Sequence, residues 1–337
     1  MKRSGGRPYS QAAVRRDHSP GSGRSPRVER GERPWAEAKP PRRDERPGAA
    51  DRRRDDPHSP RRDSHRADRQ GFVSRDRGAP PPREEALDGP IWIRGRHEVL
   101  AFLKSGKPVE SLLMALEARG KEIEEIKALA RARAIKVQAL PMTGFRQKVG
   151  SESQGVALRI GAFPYADFET LLQDALRENG LLLVLNHVED PRNLGAIVRT
   201  AEAAGVAGVV IPKNRAAGMT EWAIRTSQGA AAHLPVARVT NIGVVVERLK
   251  QEGFWCYGLD EDAVGRYDEI RYNARMALVI GGEDAGLGEK VKGLCDECVR
   301  IPMLGKTPSL NVAVSAGIVL FEVLRQRGFP PKKTAAN

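Results

Sequence analysis

The chain has 337 residues, 40% of them apolar, which is enough for one or two buried cores. Its 56 Lys or Arg against 43 Asp or Glu give a net charge of +13, which favours an anionic partner such as nucleic acid or acidic lipid. Three cysteines are too few for a disulfide framework, so we expect a reducing, cytoplasmic setting. No long uncharged apolar run or hydrophobic signal core is present, which argues against membrane and secreted proteins.

Residues 1–90 differ in composition from the rest of the chain. They hold 23 Lys or Arg, 15 Asp or Glu, 13 prolines and a single leucine. Such a segment cannot bury enough apolar surface to offset the entropy lost on ordering, so it is predicted to be a disordered basic tail. Two interpretations stay open for it: an arginine-rich arm that adds affinity for phosphate, or a solvated extension without a role.

Residues 91–162 are predicted to form a small α/β unit. Short apolar runs at 91–93, 112–115, 135–140 and 156–160 alternate with helical patterns at 97–104 and 121–133. Residues 163–180 follow as a connecting segment with one amphipathic helix, which ends at Asn179-Gly180.

Residues 181–330 show a regular alternation of strands and helices. The strands are continuously apolar, which is typical of a parallel sheet covered by helices on both faces. The strand candidates are residues 181–185, 208–211, 234–239, 254–258, 276–280 and 299–301, and the longest helix is predicted at 310–327.

Three polar segments follow predicted strands in this region. They are residues 186–200, 280–287 and 301–317. Open α/β sheets bind their ligands beyond the carboxyl ends of the strands, so these segments are the candidate site.

No common nucleotide-binding or metal-binding pattern is complete in this region of the chain. A G-x-G-x-x-G begins at Gly286 but has Val291 in its sixth position, and Gly305-Lys306-Thr307 lacks the upstream glycine of a phosphate loop. Cys295 and Cys298 have the spacing of two zinc ligands, but there is no second pair. We therefore expect no metal, and we assign the acidic pairs 189–190 and 283–284 to turns and helix caps.

The three segments contain motifs that resemble a known family. In chain order they read N-L-G-A-I-V-R-T (193–200), G-G-E-D-A-G-L (281–287) and I-P-M-L-G-K-T-P-S-L-N-V-A-V-S-A-G (301–317). They are similar to the three signature motifs of the SpoU (TrmH-like) RNA ribose 2′-O-methyltransferases of the SPOUT superfamily. The most similar subgroup is the bacterial enzymes that modify a guanosine of 23S ribosomal RNA. Residues 91–162 resemble, more weakly, the ribosomal-protein-like RNA-binding domain of that family.

The resemblance implies S-adenosylmethionine as the methyl donor and assigns residues to it. Gly281, Ile301 and Leu310 match family positions that contact the donor. Glycine-bearing turns suit this task, because backbone groups can then approach a flat adenine closely.

The resemblance also assigns the catalytic residues, which are Asn193, Arg199, Glu283, Ser309 and Asn311. The matching arginine has been proposed as the base in this family. A guanidinium stays protonated under nearly all conditions, so we expect Arg199 to clamp an RNA phosphate instead. Ser309 could alternatively be an ordinary helix cap.

The family further implies a trefoil knot in the methyltransferase domain and a homodimer with its active site near the subunit interface. The leading functional hypothesis is methylation of a ribose 2′-hydroxyl of a guanosine in ribosomal RNA. The same chemistry on transfer RNA is an alternative, and a noncatalytic RNA-binding ribosome assembly factor is a second one.

Overall fold

The computed structural model describes residues 89–177, 180–283 and 286–329. The predicted disordered tail at 1–90 lies outside the described residues except for its last two positions. No helix in the described part of the chain is long and apolar enough to cross a bilayer.

The first group of elements builds a four-stranded sheet with helices packed against it. The strand order is β1-β4-β2-β3; β4 is antiparallel to both of its neighbours, and β2 and β3 are parallel. The elements are β1 (Ile91–Arg94), α1 (Arg96–Lys104), β2 (Ser111–Ala115), α2 (Lys121–Ala132), β3 (Lys136–Leu140), α3 (Met142–Val149) and β4 (Val156–Ile160).

Helical spacing of apolar residues explains how α1 and α2 cover this sheet. In α2, for example, Ile123, Ile126 and Ala130 are buried and recur every three or four positions, while the intervening Lys and Glu side chains are polar. The edge strand β3 differs, because four of its five residues are exposed.

The second group of elements follows the helix α4 (Phe168–Arg177) and builds a seven-stranded sheet. The elements are β5 (Leu181–Asn186), α5 (Pro191–Ala203), β6 (Gly208–Pro212), α6 (Glu221–Thr226), α7 (Ala230–His233), β7 (Val236–Val239), α8 (Ile242–Gln251), β8 (Trp255–Leu259), β9 (Gly265–Arg266), β10 (Met276–Gly281), α9 (Glu289–Lys292), β11 (Glu297–Arg300) and α10 (Val312–Gln326).

All neighbouring strands of the second sheet are parallel, in the order β7-β6-β5-β10-β8-β11-β9. The central strand β5 is buried at all six positions, as its continuous apolar sequence predicts. Its side chains alternate between two cores: Leu183 packs in one, with the first sheet and α10, and Val184 packs in the other, with α8. The predicted α/β fold with a parallel sheet is therefore confirmed.

Several element boundaries differ from the sequence expectation. β7 begins at Val236 and not at Leu234, because Leu234 ends α7 and Pro235 has no N–H to donate to a sheet. The long helix begins at Val312, where Asn311 caps it, and not at residue 310. The short elements α3 and β9 were not predicted, since neither is long enough to show a clear hydrophobic period.

Candidate active site

The three motif segments meet at the carboxyl edge of the parallel sheet. The first follows β5 and continues into α5, the second follows β10, and the third joins β11 to α10. Because β5 and β10 are adjacent and parallel, their last residues, Asn186 and Gly281, lie side by side. The sheet therefore brings together residues that are about a hundred positions apart in the sequence.

Two side-chain hydrogen bonds tie the three motifs to one another. Asn311 Nδ2 donates to Asn193 Oδ1 at 3.0 Å, and Asn193 Nδ2 donates to Glu283 Oε1. We call Asn193, Glu283 and Asn311 the amide relay. The side-chain oxygen of Asn311 also caps α10 by accepting from the backbone N–H of Ala313 at 3.0 Å and of Val314 at 3.4 Å. The cap therefore fixes which way the Asn311 amide faces the relay.

A cavity of about 780 Å³ lies beside the amide relay. Its walls include Gly281, Ile301, Leu310 and Ser309, together with the relay residues Glu283 and Asn311. This volume falls within the range of small-molecule sites. The structure thus brings together all three residues predicted to bind the donor and three of the five predicted to be catalytic, and Asn193 joins them through the relay.

Carboxylates outnumber basic groups in the cavity wall. Asp260, Glu261, Asp262 and Glu289 add to Glu283, and Lys292 is the single basic residue among the described lining residues. Lys292 Nζ contacts Asp260 Oδ1 at 2.8 Å, and this hydrogen bond raises the pKa of Lys292. The wall therefore presents an excess of negative charge.

Two adjacent glycines let backbone segments cross at this edge. A Cβ on Gly281 would lie 1.9 Å from the carbonyl carbon of Gly286, and one on Gly282 would lie 1.9 Å from the carbonyl oxygen of His187. Asn186, buried at the end of β5, donates from Nδ2 to the Leu287 carbonyl at 3.0 Å. No other residue type fits at 281 or 282, so the backbone itself forms this part of the cavity wall.

Arg199 is the one predicted site residue that the chain does not bring to the cavity. It is exposed on α5 and has no hydrogen bond or ion pair with any described residue. It follows Asn193 by six residues, about 9 Å along the helix axis. Its guanidinium is free to bind a group from outside this chain.

The N-caps of α5 and α10 bear on the expectations for the acidic pair 189–190 and for Ser309. Asp190 caps α5 by accepting from the backbone N–H of Arg192 at 2.8 Å, which is the capping role predicted for the first acidic pair. Ser309 does not cap a helix, because α10 takes Asn311 as its N-cap; Ser309 lies exposed on the loop at the cavity.

Sequence reasoning missed the acidic segment 260–262. It follows β8 directly, and β8 lies next to β10 in the sheet. The rule that ligands bind beyond the carboxyl ends of parallel strands could have identified it, since residues 254–258 were recognised as a strand.

The three cysteines are free thiols, with Cys256 buried and Cys295 and Cys298 half-buried. Burial raises the pKa of Cys256 and of Cys295 to about 12, which disfavours the thiolate that binds metals. Among the described residues, no group of three or more His, Cys, Asp or Glu side chains is placed to hold a metal ion.

A second region of the molecule carries unpaired positive charge. Residues 126–151 contain six Lys or Arg and no Asp or Glu. Lys136 on the edge strand β3 and Arg146 and Lys148 on α3 are exposed, and none of the three pairs with a carboxylate of the described residues. Lys148 Nζ contacts Gln138 Oε1 at 3.2 Å, which joins the two elements. We call these exposed side chains the β3–α3 surface.

Comparisons with known proteins identify a family for each of the two regions. The SpoU rRNA Methylase family model matches residues 180–321, and the model for RNA 2′-O ribose methyltransferase substrate binding matches residues 92–166. These matches define an RNA methyltransferase.

Two similar proteins show to which family the chain belongs. YacO of Bacillus subtilis (strain 168), named as a TrmH family tRNA/rRNA methyltransferase, is 39% identical over 238 residues, which are 70% of this chain and 96% of YacO. A Staphylococcus aureus (strain COL) protein named in the same way is 38% identical over 237 residues, with coverage of 70% and 96%. The chain belongs to the TrmH (SpoU) family of tRNA/rRNA methyltransferases, so the predicted family and the predicted enzyme class are confirmed.

Among solved structures, the SpoU methyltransferase AviRb from Streptomyces viridochromogenes in complex with the cofactor AdoMet is similar to this chain. The TM-score is 0.62 at 28% identity, and the match covers 72% of this chain and 92% of AviRb.

Proposed function

We propose that the protein transfers the methyl group of S-adenosylmethionine to the ribose 2′-hydroxyl of a guanosine in large-subunit ribosomal RNA. The observation that carries this proposal is the amide relay, which joins the three family motifs at the mouth of a cavity of about 780 Å³.

The cavity suits S-adenosylmethionine in size and charge. Bound there, the donor supplies an electrophilic methyl group on a positively charged sulfur. The excess of carboxylates in the wall favours a cationic ligand over an anionic one. Gly281, Ile301 and Leu310 would hold the donor, with Gly281 contributing backbone and no side chain. The AdoMet complex of the similar protein AviRb supports this choice.

The polar residues would position the ribose and the RNA beside it. Asn193 is held from both sides by Glu283 and Asn311, so its amide cannot rotate freely. Ser309, exposed at the cavity, would donate or accept a hydrogen bond near the ribose. Arg199 would clamp an RNA phosphate, because its guanidinium stays protonated and is unpaired within the described chain.

The RNA would be recruited by residues 91–162, which we propose as the substrate-binding domain, with 163–180 as the connection to the methyltransferase domain at 181–330. The match to a substrate-binding family model and the unpaired charges of the β3–α3 surface support this division. Ribosomal RNA is preferred because a separate RNA-binding unit is present; transfer RNA is the alternative substrate, which the relatives' names include. We place the reaction in the cytoplasm, where bacterial ribosomal RNA is found.

The active form is proposed to be a homodimer with a trefoil knot in each methyltransferase domain. Val314 and Phe321 leave an apolar face of α10 exposed, seven residues apart and therefore on one side of the helix. Arg199 is exposed on α5, which packs against α10, so it would lie near this interface. The knot is proposed from the family to which the chain belongs, with the last segment of the chain threading through a loop.

The test is methyl transfer from labelled S-adenosylmethionine to ribosomal and transfer RNA taken from cells that lack the protein, with mass-spectrometric mapping of the modified ribose. Label in ribosomal RNA alone is expected. If only transfer RNA is labelled, transfer RNA is the substrate and not ribosomal RNA. If neither RNA is labelled and the protein does not bind the donor, the proposal is overturned.

Variants of Asn311 separate its two roles. Asn311→Asp keeps the oxygen that caps α10 but loses the N–H that bonds Asn193, so kcat should fall about 100-fold with little change in stability. Asn311→Ala loses both roles and should also unfold more easily by about 1 kcal/mol.

Asn241 provides the matched control, since it caps α8 with the same geometry, accepting from Gly243 N at 2.9 Å and Val244 N at 3.4 Å, away from the cavity. Asn241→Ala should lower stability without lowering kcat per folded molecule. Full activity of Asn311→Asp would remove the relay from the mechanism.

A further inference from the structure

A small groove lies between β1–α1 and the helix α6, apart from the cavity described above. It encloses about 190 Å³ and is lined by Trp92, Ile93, Arg94 and Glu98 on one side and by Glu221, Trp222, Ile224 and Arg225 on the other. We call it the Trp222 groove. Neither the proposed donor site nor the β3–α3 surface uses any of these residues.

The indole of Trp222 is unusually accessible for a side chain of its size. Trp222 is 53% exposed, although burial of an aromatic ring is strongly favoured. The guanidinium carbon of Arg225 lies over its ring at 5.8 Å, and Arg225 is itself anchored by an ion pair with Glu152. The ring is therefore held in place while much of its surface stays free for a ligand.

Arg94 adds a hydrogen-bond donor to the same groove. Its Nη2 pairs with Glu221 Oε2 at 2.7 Å, and Glu221 Oε1 accepts from the backbone N–H of Trp92 at 2.9 Å. The Nε atom of Arg94 is buried and has no hydrogen-bond partner among the described residues. The Arg94 side chain as a whole is 34% exposed, so its guanidinium has further N–H donors for a ligand in the groove.

The groove lies next to the candidate catalytic helix. α6 packs on α5 at Gly195, where an added Cβ would lie 2.4 Å from the Ala223 carbonyl oxygen and 2.7 Å from Thr226 Cβ. Thr226 is one turn from Trp222 on the same face of α6. Gly195 is two residues from Asn193 of the amide relay. Trp222 therefore lies on the helix that packs directly against the one carrying Asn193.

The surroundings of Trp222 suit a nucleobase better than a protein partner. Trp222 is the only strongly exposed large apolar residue in the groove, and Arg94, Arg225, Glu98 and Glu221 surround it. Protein interfaces need a larger contiguous apolar area. Unpaired RNA bases, in contrast, are recognised by stacking on single aromatic rings and guanidinium planes, with hydrogen bonds to their edges.

We propose that the Trp222 groove is a stacking site for an unpaired base of the RNA substrate, close to the nucleotide that is methylated. The base stacks on Trp222, and the partly exposed guanidinium of Arg94 donates to an acceptor on its edge. This inference rests on the proposed RNA methyltransferase function and adds a residue that selects unpaired RNA.

The test compares the full-length protein with Trp222→Ala, Trp222→Phe and the control Trp255→Ala. Trp255 is also exposed, at 41%, but it begins β8 at the opposite edge of the sheet from the cavity. Two probes are used: a ten-nucleotide unpaired RNA and the same strand with abasic sites, which keeps the phosphates and removes the bases.

Trp222→Ala should bind the base-containing strand about 10-fold more weakly, with no change for the abasic strand. Trp222→Phe should recover most of the affinity, but it should lose the quenching of Trp222 fluorescence that RNA causes in the wild type. Trp255→Ala should bind both strands as the wild type does. Unchanged binding by Trp222→Ala, or an equal loss on both strands, would overturn the proposal. So would normal RNA binding together with an altered oligomeric state, which would identify a protein interface.

Calorimetric binding of S-adenosylmethionine and methyl transfer to ribosomal RNA keep the two proposals apart. Trp222→Ala should bind the donor as the wild type does and raise KM for RNA more than it lowers kcat. If the wild type methylates RNA and Trp222→Ala matches it, the stacking site fails while the enzyme function stands. If the wild type methylates no RNA but the base-dependent difference in binding persists, the enzyme function fails and the stacking site stands.

Discussion

The cavity edge of the parallel sheet and the β3–α3 surface show two different ways to build a functional region. At the cavity edge, backbone segments cross where no side chain fits, and two hydrogen bonds hold Asn193 in place. On the β3–α3 surface, Lys136, Arg146 and Lys148 are exposed and unpaired within the described chain. The function of the cavity edge depends on atomic positions to within a fraction of an ångström. The function of the β3–α3 surface depends on the number of its charges.

The comparison predicts different responses to substitution. Changes at the cavity edge should alter donor binding and kcat, because they displace groups whose position matters. Changes on the β3–α3 surface should alter RNA affinity and its dependence on salt, because screened charge acts over several ångströms.

The largest expected effect is at Gly281. In Gly281→Ala the new methyl group would overlap the Gly286 backbone, which cannot yield as a flexible side chain would. We expect a loss of about 3 kcal/mol in the free energy of unfolding and no measurable binding of S-adenosylmethionine by calorimetry.

Gly305→Ala is the matched control, because Gly305 lies in the third motif and a Cβ there meets nothing within 4 Å. It should bind the donor normally. Donor binding by Gly281→Ala at the wild-type level would show that the edge is less tightly constrained than its geometry indicates.

A smaller effect is expected from charge reversal on the β3–α3 surface. The double variant Lys136→Glu with Lys148→Glu should bind RNA about 10-fold more weakly, with a shallower dependence of log affinity on log salt, because phosphate contacts are lost. Donor binding should not change. Affinity measured at several salt concentrations checks this.

The control for this experiment has the same change in net charge at lysines that are already paired. Lys104 contacts Glu125 at 2.7 Å and Lys127 contacts Glu124 at 2.8 Å. Lys104→Glu with Lys127→Glu should weaken RNA binding less. Equal losses in both double variants would mean that net charge, and not this surface, attracts the RNA.

The smallest effect concerns Lys107, which donates to the Ala231 carbonyl at 2.8 Å and lies over the rings of Phe102 and Phe163. Burial lowers the pKa of Lys107 from 10.5 to about 8. The unfolded chain therefore binds more protons than the folded one between these two values, and stability rises with pH in that window.

Lys107→Met removes this dependence. The difference in unfolding free energy between the wild type and Lys107→Met should shift in favour of the wild type as the pH rises from 8 to 10.5, by about 1 kcal/mol, since solvent partly screens this ammonium group. Denaturant titrations of both proteins across this range measure it. A difference that stays constant would show that Lys107 keeps an ordinary pKa in the folded protein.

Local sequence patterns predicted much of the architecture. The apolar run 181–185 and the helical period of 121–133 correspond to β5 and α2 with boundaries close to those expected. The cavity residues Gly281, Ile301 and Leu310 came from the family motifs and not from periodicity. The acidic segment 260–262 directly follows the recognised strand 254–258 and could have been named a candidate on that ground, but only the tertiary structure shows that β8 lies next to β10.

The sequence by itself determined the two α/β regions, the parallel sheet and the family, because hydrophobic period and motif order are local properties of the chain. Only the tertiary structure decided that Asn311 reaches Asn193, that Arg199 stays outside the cavity and that Trp222 is exposed beside α5. These facts depend on which strands are neighbours and how closely helices approach, and such contacts join residues far apart in the chain.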